Sequence, residues 1–206
     1  MEEQEDPITL MLDEKTDVLP PKNSLIFKLL QDSPLKNEAK VLEIGLKSTE
    51  HLSYLFQKAE NISYSGTYHT EAVTNSAFSI DEARGNAMDL IKTTDHQLDF
   101  EDNSFDYCFT ANTIYFWPDP IKYLTESHRV LKSGGKMNLA FVEKNFGAHL
   151  PWTQLDFKFY EINEVKSLFK QLGFTNIEVK KLTETIIDQN GEEITKPFIM
   201  VSGQKK

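Results

Sequence analysis

Residues 41–50, Val-Leu-Glu-Ile-Gly-Leu-Lys-Ser-Thr-Glu, carry the first chemistry legible in this chain. An apolar run that ends at Gly45 is how a buried strand delivers a tight loop to a nucleotide-type ligand, because glycine allows a left-handed φ and a close approach of the backbone. Glu43 adds a carboxylate just below that loop, Lys47 a cation within it, and Ser48 or Thr49 a hydroxyl where the next helix should begin. Further glycine is expected after Gly45, and the loop supplies none. Either the loop holds its ligand by other means, or the fold has outlived the chemistry.

Other reactive constellations are poorer. The five histidines, His51, His69, His96, His128 and His149, show no close ligand spacing, and Cys108 is the single cysteine, so neither a metal site nor a disulfide framework is expected. A formal charge of −10, from 22 basic against 32 acidic residues, argues against a nucleic-acid partner, which needs a basic face. No apolar stretch approaches the ~18 residues of a membrane span. The opening MEEQEDPITL is acidic where a secretion signal is basic and then apolar, so no membrane partner and a cytoplasmic location are expected.

The elements that must position these residues alternate. Residues 1–23, with Pro20-Pro21, read as an irregular acidic arm, and 24–206 as one domain large enough to bury its own core. Ser24 can cap a short helix with Ile26, Leu29 and Leu30 on one face, and 40–44 reads as a buried strand. A helix from Ser48 or Thr49, with Leu52, Leu55, Phe56 and Ala59 as its stripe, should end near Asn61. Strands follow at 62–68, 88–93 and 105–112, with a polar helical stretch through Ala83 between the first two. Asp119-Pro120 opens a helix in the favoured N-cap and N1 positions, with Ile121, Leu124 and Leu131 inward and Gly134-Gly135 closing it.

The fifth strand is 136–142, and the connection from Glu143 to Asn163 is long enough to be a pocket wall, rich in aromatics such as Trp152. Asn163 then caps a helix with Val165, Leu168, Phe169 and Leu172 on one face, ended by Gly173. Strands at 177–182 and 198–202 flank an Asn190-Gly191 turn, so the last pair should be antiparallel. Strands alternating with helices imply right-handed crossovers and a doubly wound, mostly parallel α/β sheet that binds ligands beyond the carboxyl ends of its strands. The site should therefore be lined by 45–50, 68–70, 94–97 and 111–117.

At this point four segments, in order, resemble one family. Val-Leu-Glu-Ile-Gly at 41–45, Leu98 to Asp106, Asn112 to Pro120, and Arg129-Val130-Leu131-Lys132-Ser133-Gly134-Gly135 are together similar to the class I S-adenosylmethionine-dependent methyltransferases of the small, stand-alone kind. The resemblance covers roughly Ala39 to the C-terminus and implies a Rossmann-like sheet of order 3-2-1-4-5-7-6 with strand seven antiparallel. It also implies S-adenosylmethionine as cofactor, bound by Glu43, Gly45, Lys47, Ser48, Tyr68, Thr94, Asp95 and Asn112. The family's three loop glycines fall on Gly45, Lys47 and Thr49, its ribose-binding acid on Tyr68, and its adenine-side acid on Thr94, one place before Asp95.

Methyl transfer asks for alignment and a base on the acceptor, so acceptor-side candidates are Asn112, Tyr115 and Trp117, with His149 and Trp152 from the long connection. The sequence thus supports a methyltransferase acting on a small-molecule acceptor, and alternatively an inactive relative that keeps the fold as a binding or partner module. A nicotinamide dehydrogenase shares the first strand and loop but needs the glycine fingerprint and an acid where Tyr68 stands.

Overall fold

The computed structural model describes residues 25–69, 85–144, 158–187, 191 and 193–206. The expected arm, the helical stretch through Ala83, most of the long connection and the Asn190 turn position lie outside them. Helix α1 (Leu25–Gln31) precedes β1 (Lys40–Ile44), α2 (Leu52–Gln57), β2 (Ser63–Tyr68) and β3 (Ala87–Lys92). Then come β4 (Phe105–Ala111), a 3-10 turn (Ile114–Phe116), α3 (Pro120–Val130), β5 (Leu131–Phe141), α4 (Ile162–Gln171), β6 (Thr175–Ile187) and β7 (Glu193–Gln204).

The seven strands form one sheet in the order β3-β2-β1-β4-β5-β7-β6, with β7 antiparallel to both its neighbours and the other described pairs parallel. β1 is flanked on both sides, and Val41, Leu42 and Ile44 are buried accordingly. One core runs from α1 and α2 across the sheet to α4 and β7, with Leu29, Leu42, Leu55, Phe109, Leu139, Phe169 and Val201 fully enclosed. Among the described residues no helix is long and apolar enough to cross a membrane, and no cluster of ligating side chains could hold a metal.

Several boundaries differ from the sequence reading for identifiable reasons. α2 starts at Leu52, not Ser48, and its N-cap residue His51 gives the helix no side-chain bond because its ring is committed elsewhere. Helix α2 is over by Gln57, so Asn61, at φ +54, serves the turn into β2 instead. Gly134-Gly135 does not close α3: Leu131 is already extended and pairs with Phe105, and the ladder resumes only at Lys136 opposite Tyr107. The glycines occupy that bulge, where a Cβ on Gly135 would come within 2.9 Å of the Lys132 carbonyl. Ile121 is 37% exposed at the helix mouth, and the inward face is Leu124, Ser127 and Val130.

Helix α4 is capped by Glu161 rather than Asn163, in a reciprocal box where the Glu164 carboxylate accepts from the Glu161 N–H at 2.7 Å. β6 and β7 run well beyond 177–182 and 198–202, because polar residues such as Thr183 and Thr195 continue a two-stranded ribbon that needs no apolar alternation.

Arg129, from the motif that closes α3, binds both Glu126 oxygens at 2.8 Å, Asp102 at 2.7 Å, and the carbonyls of Leu98 and Phe100 at 2.9 and 2.7 Å. It staples the segment leaving the ligand end of β3 to a helix. Arg129→Leu strips two carbonyls of their donor and should lower the unfolding free energy by about 2 kcal/mol, read by urea denaturation.

Candidate functional site

Alternate residues of a strand face opposite sides of the sheet, so Glu43 and Ile44 open onto different spaces at the end of β1. Glu43 is buried at 5% exposure. Its Oε2 accepts from the Tyr64 hydroxyl at 2.6 Å and lies 2.7 Å from His51 Nε2. Tyr64 reaches it because Gly66, opposite Glu43 in β2, leaves the room: a Cβ there would stand 2.8 Å from the Tyr64 oxygen. Burial first, then the Glu43 charge, holds the Tyr64 pKa well above its ordinary range, so the phenol is a permanent donor.

Gly45 is the turning point. Its φ is +78°, and a Cβ would lie 2.4 Å from Thr113 Cγ2. The N–H groups of Gly45 and Leu46 both donate to the Thr67 carbonyl, at 3.0 and 2.8 Å. Lys47 and Thr49 are absent from the left-handed region, so these two positions follow the loop path with ordinary backbone angles. The Lys47 ammonium sits 5.5 Å from the centre of the Phe116 ring, and among the described residues it has no carboxylate partner.

Two cavities meet at this loop, sharing Gly45 and Lys47. The smaller, of about 170 Å³, is lined by Glu43, Ser48, His51, Asn112 and Glu184 among others. The larger, of about 440 Å³, is lined on Ile44's side by Leu46, His69, Thr94, Thr113, Phe116 and Trp117. Of the expected cofactor residues, Glu43, Gly45, Lys47, Ser48 and Asn112 come together at the smaller cavity and Thr94 at the larger. Tyr68 and Asp95 line neither: His69 takes Tyr68's place, its Nδ1 2.8 Å from the Thr93 carbonyl, and Asp95 accepts from Gln97 N in a local turn.

On the acceptor side, Asn112 stands at φ +57° at the end of β4, a conformation asparagine tolerates better than most side chains. Tyr115 is buried, donates to Asn112 Oδ1 at 3.3 Å and accepts from Val142 N, and burial pushes its pKa well up. It therefore positions Asn112. Trp117 is buried against Tyr123, ring on ring at 4.8 Å and 2°, with an edge on the larger cavity. His149 and Trp152 lie outside the described residues.

Sequence reasoning missed His51 and Glu184, whereas His69 and Phe116 fall within the expected lining segments 68–70 and 111–117. Glu184 comes from the ribbon of β6 and accepts from Leu25 N at 3.0 Å, bringing the start of α1 over the smaller cavity. Nothing local in the sequence announces that. His51 could have been found as the residue one helical step past the loop with an acid eight places before it.

Residues 42–139 match the model of the methyltransferase domain family. A chain of the Haloferax volcanii complex between the Trm112 methyltransferase activator and a methyltransferase superposes with a TM-score of 0.71 at 19% identity, covering 86% of this chain and 87% of that one. This chain has the fold of those methyltransferases, and its central part is similar in sequence to their domain family. The same methyltransferase fold is found in Haemonchus contortus phosphoethanolamine N-methyltransferase 2, solved with phosphomonomethylethanolamine and S-adenosylhomocysteine, at TM-score 0.62 and 16% identity over 86% of this chain and 51% of that chain. The demethylmenaquinone methyltransferase of Staphylococcus carnosus is 30% identical over 152 residues, 61% of this chain and 58% of the relative. The chain spans about half the length, or less, of the curated relatives it matches.

Gly45 carries two constraints that a substitution can separate. Gly45→Ala should cost about 2–4 kcal/mol, the sum of a left-handed residue with a Cβ and an overpacked contact with Thr113. Adding Thr113→Ser removes the offending methyl and should restore only the steric part, measured by thermal and urea unfolding of the single and double variants.

Proposed function

We propose that this chain is an S-adenosylmethionine-dependent methyltransferase acting on a small-molecule acceptor. One observation carries the reading: Glu43, which has an oxygen unused by His51 and Tyr64, and Lys47, which has no described carboxylate partner, line one small cavity on either side of Gly45. A carboxylate and an ammonium so placed complement the charged amino-acid end of the cofactor. The adjoining cavity, with Phe116 and Trp117 as aromatic walls and the hydroxyls of Thr94 and Thr113, suits a base and a ribose.

The cofactor, when bound, supplies an electrophilic methyl on a positively charged sulfur, so the protein's task is alignment and water exclusion. Asn112 lines the smaller cavity beside Gly45 and would orient the reacting groups, held there by the protonated Tyr115 hydroxyl. Tyr115 stays protonated at any ordinary pH and is a donor, not the base. His149 and Trp152 remain candidates for the acceptor side on sequence grounds. The small acceptor is supported by the chemistry of the relatives, which methylate a quinone precursor or a phosphorylated amine by name.

Titration calorimetry should show S-adenosylhomocysteine binding in the micromolar range. Lys47→Ala should weaken it by about tenfold, the worth of one charge-assisted hydrogen bond. Absence of heat up to millimolar ligand sinks the enzyme reading in favour of an inactive binding module.

A further inference from the structure

The family's loop approaches its ligand through glycine backbone, and this chain has only the first of the three glycines, with Lys47 and Thr49 at ordinary φ in the other two positions. Something else must fix the loop's ligand groups. The candidate is the set of side chains behind Glu43. His51 is 4% exposed and Tyr64 1%, and both reach the same carboxylate oxygen, Oε2, from different parts of the chain, the residue before α2 and strand β2. A buried carboxylate needs such partners, but two donors on one oxygen do more than satisfy it: they fix the plane of the carboxyl and leave Oε1 to the cavity that Glu43 and His51 both line.

The surroundings favour this clamp at each point. Gly66 leaves the space through which the Tyr64 hydroxyl passes. Phe109 meets the His51 ring edge to face at 6.3 Å and 84°, fixing its plane from the floor of the sheet. His51 stands at the N-cap of α2 yet makes no side-chain bond to that helix, so its ring is spent on Glu43.

We propose that His51 is a positioning residue for ligand binding: with Tyr64 it presents Glu43 Oε1 to the ammonium of the cofactor's amino-acid end, replacing by side chains the selectivity that the missing glycines would give by backbone. This rests on the methyltransferase reading above and adds the residues that set its affinity. The consequence is selective. Ligands that carry the amino-acid end should depend on His51, and ligands that lack it should not.

The test compares S-adenosylhomocysteine with methylthioadenosine, which has the same nucleoside and no amino-acid end, on wild type, His51→Leu, His51→Gln and Tyr64→Phe by calorimetry, with melting temperatures in parallel. His51→Leu should weaken S-adenosylhomocysteine by about tenfold or more and leave methylthioadenosine within about twofold, as expected for one lost charged contact. His51→Gln, whose amide can donate from the same reach, should recover most of the loss, and Tyr64→Phe should act in the same direction. Equal losses for both ligands, or a loss that His51→Gln does not restore, would show a merely structural histidine and overturn the proposal. Wild type that binds S-adenosylhomocysteine with His51→Leu unchanged overturns it alone. Wild type that binds neither ligand overturns the methyltransferase reading and the proposal with it.

Discussion

Burying the Glu43 carboxylate is the constraint around which the ligand end of this sheet is arranged. A lone carboxylate in a low-dielectric interior is strongly disfavoured, so its neighbours must supply donors. They come from three directions in the chain: β1 brings the acid, the residue before α2 is His51, and β2 brings Tyr64. Gly66 is small because the Tyr64 oxygen passes over it, and Gly45 is small because Thr113 packs against it. The positions of five residues thus follow from one buried charge and the turn that comes after it.

Two ends of the same sheet use polar side chains differently. At the far end, Lys132 binds both Asp106 oxygens at 2.8 Å, and the Lys40 N–H donates to Asp106 as well, a largely exposed arrangement that stitches strand entries together. At the ligand end the partners are buried, and they leave acceptors and donors unspent toward open space. Polar groups fully satisfied among themselves serve the fold; groups with one valence left over serve a ligand. The Tyr115 hydroxyl stands between these cases, saturated itself while holding Asn112 in a left-handed conformation next to the cavity.

Much of this was readable in the chain. Apolar runs and caps placed β1, β2, β4 and α3 closely, since Asp119-Pro120 and the enclosed 41–44 leave few alternatives. The Gly134-Gly135 pair misled because two glycines signal a stop and also a bulge, and only pairing across to Phe105 and Tyr107 separates them. At the site, residues next to one another in sequence, Glu43, Gly45, Lys47 and Ser48, were found together. Tyr68 was not: it shares the face of Tyr64 and Gly66, away from the larger cavity, but lies at the end of β2 without lining the smaller one, while His69, one place on, lines the larger. Glu184 was invisible because its place depends on how far the β6–β7 ribbon extends, which no local pattern fixes.

The glycine loop itself shows what a fold requires and what a sequence merely prefers. Three glycines invite a single explanation, but here they separate. The first has a positive φ and a 2.4 Å clash waiting for any Cβ, so it cannot drift. Lys47 and Thr49 have ordinary φ, so the backbone path of this chain does not depend on glycine at their positions. What glycine would add at those two positions is proximity of the main chain to a ligand, a property of binding rather than of folding. A lysine at the rim trades that proximity for charge and reach. A loop so altered keeps its shape through Gly45, and its grip then depends on where its side chains are held.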